Sequence, residues 1–178
     1  MRQAISAAVE YLLGFLALAL FAYLAFGSAT TSDEQFVFAF KASGAVAAAE
    51  LATLLARATP ANRLIIGANI WLIAGGMAAL LEQWWFLRIY QQFGEASLFC
   101  AMLLVGVLST ALSPAGFIGK QGPRDKVLRA SILLAAAVAV ALLTAVLFRG
   151  NVKYAAALPV IALSWLSRLL RRTVPDGD

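Results

Sequence analysis

Apolar residues in this chain come in long runs separated by short polar breaks. Six such runs, at about 4–26, 36–56, 64–81, 96–112, 127–148 and 154–170, fill most of the sequence. A helix needs about 20 residues to cross roughly 30 Å of hydrocarbon, and each run is long enough or nearly so. The pattern predicts an all-α fold, a polytopic transmembrane helical bundle of about six spans that occupies 1–178 as a single domain. Bilayer lipid is then the first partner of nearly every outward-facing side chain.

The breaks carry the turn chemistry this arrangement needs. Thr59-Pro60-Ala61-Asn62 predicts a tight turn between the second and third helices, because Pro60 cannot continue a helix and restricts the residue before it. The stretch 82–94 packs Trp84, Trp85, Phe86, Tyr90 and Phe93 beside Glu82 and Arg88, and Gly94 is placed to end a helical extension. Trp84, Trp85, Arg88 and Tyr90 read either as an interfacial collar at the outer headgroups or as a recognition surface for a partner. Pro114, Gly116, Gly119, Gly122 and Pro123 surround Lys120 in the next break. That stretch lacks the P-loop spacing, since Gln121 stands where Ser or Thr should follow the lysine, and it reads as a solvated loop. Arg149-Gly150-Asn151-Val152 predicts a minimal turn, and Pro159 predicts a bend in the last helix.

Composition agrees: hydrophobic residues make up 62% of the chain and charged ones 13%. The net charge of +5 is sorted rather than spread. Alternate breaks, with both ends of the chain, hold Arg2, Arg57, Arg63, Lys120, Arg124, Lys126, Arg129, Arg168, Arg171 and Arg172, against Arg88, Arg149 and Lys153 on the other side. This positive-inside bias predicts cytoplasmic N- and C-termini. It also explains a pI near 9.8 without nucleic acid, for which there is no basic domain. Arg168, Arg171 and Arg172 fall at the cytoplasmic end of the last helix, where they are expected to meet lipid headgroups. Arg2 and the run ending in Ala25-Phe26-Gly27 resemble a signal peptide in outline, but the apolar run is long and Glu10 interrupts it, so a retained helix is expected. The Ala-rich, Lys- and Asn-poor usage suggests a bacterial cytoplasmic (inner) membrane.

Histidine is absent and Cys100 is the single cysteine, so no haem, metal or disulfide is expected and no cofactor is implied. Cys100 itself reads as a small buried hydrophobe. Charged groups inside hydrocarbon are expensive and mark candidate sites. Counting from the flanking arginines, Glu10, Glu50 and Asn69 fall about 10 Å inside the cytoplasmic boundary on three successive antiparallel helices. Small residues share their faces, Ser43 and Ala47 with Glu50 and Gly76 with Asn69, which predicts that the faces turn toward other helices. Two carboxyls meeting there would share a proton or hold a cation; alternatively each is a protonated packing contact, or snorkels to the headgroups. Lys41, half a turn round from Glu50, is expected at the outer end, snorkelling or paired with Glu82 or Glu95.

Three functions fit. The first is a small permease, channel or transporter subunit with Glu10, Glu50 and Asn69 as its proton, cation or substrate site. The second is a non-catalytic accessory or assembly subunit of a larger membrane complex, docking through small-residue faces and the aromatic segment onto a membrane-protein partner or another copy of itself. The third, an intramembrane lipid-acting enzyme, has the least support, because no nucleophile or metal-ligand pattern accompanies the carboxylates. A non-enzymatic role is expected.

Overall fold

The computed structural model describes residues 15–27, 32–56 and 62–175. Every regular element among them is helical: α1 Leu16–Phe26, α2 Asp33–Ala56, α3 Arg63–Leu80, α4 Trp84–Phe93, α5 Ala96–Leu112, α6 Arg124–Leu147, a π turn Lys153–Ala157 and α7 Leu158–Thr173. Of these, α2, α3 and α6 are long and apolar enough to cross a membrane. The pair α4 and α5 adds a fourth span if taken together, although its axes meet at 102°. Large apolar residues stand exposed along the helices, among them Leu104, Val107 and Leu108 on α5 and Ile132, Leu133, Val140 and Leu143 on α6. Water would not tolerate apolar stripes of this extent on a single chain, whereas lipid requires them.

The first expected run is described only from Phe15 onward. In that part Leu16–Phe26 is helical, and Phe15, with φ −111° and ψ 8°, lies off the helical path. Residues 4–14 of that run, with Arg2, Glu10 and Gly14, lie outside the described residues, as do Arg57 and the Pro60 turn.

Residues divide into two units, one of 1–57 with 69–87 and the other of 58–68 with 88–178. In the first unit, aromatic rings from three helices form the core. Phe21 of α1 lies 4.6 Å from Phe40 of α2 and 5.5 Å from Trp71 of α3, and Phe40 lies 5.3 Å from Trp71. Such ring pairs each add about 0.5–1.5 kcal/mol beyond simple burial. Below them α2 and α3 cross at glycine: a Cβ on Gly44 would stand 3.0 Å from Gly76 Cα, and one on Gly75 would overlap the Phe40 ring. Without an aqueous hydrophobic drive, intramembrane helices rely on such close approach.

The second unit is built around an inserted loop. The 113–123 stretch, expected to be solvated, buries Ala115, Phe117 and Ile118. Phe117 lays its ring over Gly106 of α5, where any Cβ would collide with it, and its N–H donates to Ser131 Oγ of α6 at 2.9 Å. Two cations then clamp the loop to the end of α7. Lys120 Nζ donates to the carbonyls of Arg171 (3.2 Å) and Val174 (2.6 Å). Arg171 in turn donates to the carbonyls of Ile118 (2.7 Å) and Gly119 (2.9 Å). Loop carbonyls turned inward need partners, and the two basic side chains provide them. The solvated-loop expectation fails because it counted charges and glycines but not the apolar Ala115–Phe117–Ile118 sequence between them.

Pro159 is accommodated without breaking the last helix. It occupies the first turn of α7, and in the preceding π turn the Leu158 N–H donates to Lys153 O, five residues back. The wider turn absorbs the register change that a proline forces.

Candidate intramembrane polar site

Glu50 is placed by helix register. Phe40 of α2 meets Gly76 of α3, and Gly44, one turn on, meets Leu72 as well as Gly76, an antiparallel crossing. Stepping from Gly44 to Glu50 on one helix matches stepping from Gly76 back to Ile70 on the other, which brings Asn69 to the Glu50 level. The predicted faces hold: Ser43 and Ala47 are fully buried, and Asn69 is 1% exposed.

The carboxyl reaches across to α1. Glu50 Oε1 accepts a hydrogen bond from the Ala17 N–H at 3.0 Å. Ala17 is fully buried in the first described turn of α1, and Glu50 is the acceptor its N–H finds among the described residues. A helix that starts among apolar side chains must find an acceptor for its first amides, and α2 supplies one of them from a side chain. The positive end of the helix also favours a carboxylate at this place.

The remaining polar atoms are not satisfied. Glu50 Oε2 and the side-chain amide of Asn69 are buried side by side, and neither has a polar partner other than the other. Ser43 Oγ, two turns along the same face of α2, is also unpartnered. An unmet buried amide typically costs about 1–3 kcal/mol per polar group, so natural proteins rarely retain one without a water, an ion or a task. The site thus offers one carboxyl oxygen and one amide, able together to donate and accept, at the start of a helix. Glu10, the expected second carboxyl, lies outside the described residues.

At the aromatic segment the structure separates the four named residues. Helix α4 presents Trp85, Ile89 and Phe93, spaced four apart, as an exposed apolar flank, with Arg88, Gln91 and Gln92 on the polar side. Trp84 and Arg88 are exposed as well. Tyr90 is not part of that surface: it turns inward and is only 8% exposed. Burial, reinforced by the nearby Glu95 carboxylate, raises the Tyr90 hydroxyl pKa above its ordinary value and keeps it protonated. Gly94 takes φ +55° and ends α4, as its position predicted. This amphipathic helix, bent sharply from α5, has the form of one that lies in the membrane–water interface.

The C-terminal basic group also divides. Arg171 is held by the loop carbonyls, whereas Arg172 is exposed toward solvent or headgroups. Arg168 shares the last helix with them. Lys120 is engaged by two carbonyls, which removes it from any phosphate-binding role. Lys41 makes no ion pair among the described residues, and neither predicted partner, Glu82 or Glu95, holds it. Cys100 is exposed on α5 rather than buried; its neighbours Leu98 and Phe99 take the inward positions of that turn.

Asn69 is singled out by the sequence only through its depth; that Glu50 is its one polar neighbour depends on what surrounds it. The Ala17 amide was not foreseen, since no residue type signals where a helix will begin within an apolar run. Comparison with protein-family models, with curated proteins and with solved structures finds no match to this chain.

Proposed function

We propose that this chain is a small membrane transport protein, a permease, channel or transporter subunit, in which Glu50 and Asn69 form a proton-handling site. The single observation that carries this reading is the buried pair itself: a carboxyl oxygen and an amide with no polar partner but each other, among apolar helices, beside the start of α1. Intramembrane ionisable groups lie by default on ion or solute pathways. A proton fits better than a metal cation, because Glu50 Oε2 and Asn69 Oδ1 are only two oxygens, and hard cations take six or more. Loaded, Glu50 would be a neutral acid donating to Asn69; unloaded, the carboxylate would be steadied by the Ala17 N–H and the start of α1.

In this reading the chain crosses the cytoplasmic membrane of a bacterium six times, with both termini inside. The sorting of Lys and Arg supports that topology. Helix α7 with its π turn, and α1 with the residues before it, would complete the set begun by α2, α3, α5 and α6. The protein would act without catalysis, assisted by bilayer lipid and by a membrane-protein partner or a second copy.

The test is flux in proteoliposomes carrying the purified full chain and a pH-sensitive dye inside. An imposed potential should drive acidification or alkalinisation that Glu50→Gln abolishes and Asn69→Ala slows. Wild-type flux equal to that of empty liposomes, or full flux in Glu50→Gln, would overturn the reading. The accessory-subunit reading draws on the exposed Trp85, Ile89 and Phe93 flank. It requires instead a stoichiometric larger complex that survives mild extraction and that dissociates when this flank is made polar.

A further inference from the structure

Hydroxyls on apolar helices commonly satisfy themselves on their own backbone. In this chain Thr53, Thr110, Thr144 and Ser164 each donate to the carbonyl four residues back, at 3.0, 2.8, 2.9 and 2.7 Å. Ser43 of α2 does not. Its side chain is fully buried, and its Oγ has no hydrogen-bond partner among the described residues. A hydroxyl directed away from its own backbone, where hydrocarbon offers no solvent, calls for a polar partner of another kind.

Ser43 lies seven residues before Glu50, two turns along one face and about 10 Å along the axis. A helical side chain covers the turn N-terminal to its own Cα, which brings the Glu50 carboxyl about 5 Å back toward Ser43. The separation that remains, about 5 Å, is spanned by two hydrogen bonds of about 2.8 Å through one intervening oxygen. On this face of α2 only the methyl of Ala47 stands between them, and Ala17 of α1 lies beside the carboxyl; both alanines are fully buried. One turn beyond Ser43 the Phe40 ring, with Phe21 at 4.6 Å and Trp71 at 5.3 Å, closes that end. The ionisable side chains described on α1 and α3 are Tyr23 and Arg63, each about 9 Å along its helix from Ala17 or Asn69. No other described charge stands at the Glu50 level.

We infer that Ser43 and Glu50 bind one water molecule between them, with Ser43 as the positioning residue that holds it against Glu50 Oε2. The inference rests on the proton-handling reading of Glu50, which it deepens. A proton site must suit its carboxyl in both charge states. Neutral Glu50 donates to Asn69 Oδ1 and is then satisfied. Ionised Glu50 needs a donor at Oε2, and an amide that faces it with Oδ1 has none to give. A hydroxyl and a water can each donate and accept, so together they supply one without any rotation of the amide. Ser43 O–H then donates to the water, and the water donates to Oε2. When Glu50 is neutral the water turns its hydrogen to Ser43 Oγ, and the Ser43 O–H turns to the carbonyl four residues back.

The experiment is infrared difference spectroscopy, low pH minus high pH, of the purified full chain in lipid, in ordinary water and in oxygen-18 water. Wild type should show a protonated-carboxyl C=O band that Glu50→Gln removes, and an O–H band that oxygen-18 water displaces. Ser43→Ala should keep the C=O band, lose the O–H band, and slow proton flux about fivefold, the effect of one hydrogen bond. Ser131→Ala removes a buried hydroxyl from the other unit and should leave both bands in place. A Glu50 band with no oxygen-18-sensitive partner in wild type, or an O–H band that persists in Ser43→Ala, would overturn the water site and leave the proton reading standing. No Glu50 band at all would overturn both.

Discussion

A single carboxyl oxygen holds the start of α1. The Ala17 N–H has Glu50 Oε1 as its acceptor, and leaving such a buried donor unmet costs about 1–3 kcal/mol. Glu50→Gln keeps a carbonyl oxygen at that place and removes only the ionisable function. Glu50→Leu removes the acceptor as well. Thermal unfolding in mild detergent should therefore place Glu50→Gln close to wild type and Glu50→Leu lower, by about 1–3 kcal/mol. Equal stability of the two variants would mean that the Ala17 bond contributes nothing, and the polar site would lose its structural anchor. Much at this scale was legible beforehand. Glu50 and Asn69 stood out because polar groups within apolar runs are rare, and their inward faces followed from Ser43, Ala47 and Gly76 at helical spacing. What could not be read was the partner, because hydrogen bonds between helices depend on side-chain reach across a crossing.

Among the elements, glycine separates local from tertiary demands. Gly116 and Gly150 both take positive φ, +58° and +85°. Gly150 has open space around it, whereas a Cβ on Gly116 would collide with Ser131 Oγ and crowd Val127. An alanine at either position carries the left-handed strain of about 1–2 kcal/mol. At Gly116 it also disturbs the Ser131 hydroxyl that receives the Phe117 N–H. Gly116→Ala should therefore lower the unfolding temperature clearly more than Gly150→Ala, and equal losses would show that the loop is not seated between α5 and α6. Helix limits were well predicted where the apolar run ended in charge or glycine: α3, α5 and α6 begin and end within about three residues of the sequence reading. The 113–123 loop was not, because its glycines and lysine resemble a solvated connection. Only the cradle at Gly106 and the Lys120 and Arg171 clamps make burial of Phe117 favourable.

For the whole molecule, the distribution of Lys and Arg makes one demand that experiment can meet directly. In a Cys100→Ala background, Ser32→Cys before α2 and Gln121→Cys before α6 should label from opposite sides of intact cells, Ser32→Cys with a membrane-impermeant reagent outside and Gln121→Cys only after permeabilisation. Labelling of both from the same side would break the alternation on which six crossings depend. Sequence alone determined that this is a helical chain for an apolar environment, because run length and the exclusion of charge from hydrocarbon are properties of the residues themselves. It also determined which helix faces turn inward, since 3.6-residue periodicity is local. Tertiary structure decided the rest: that Glu50 takes the Ala17 N–H, that a loop fills the second unit, that Tyr90 turns inward, and that Asn69 has no polar neighbour but Glu50. Each of these is a matter of which atoms come within about 3 Å across separate helices, and no pattern along one helix encodes that distance.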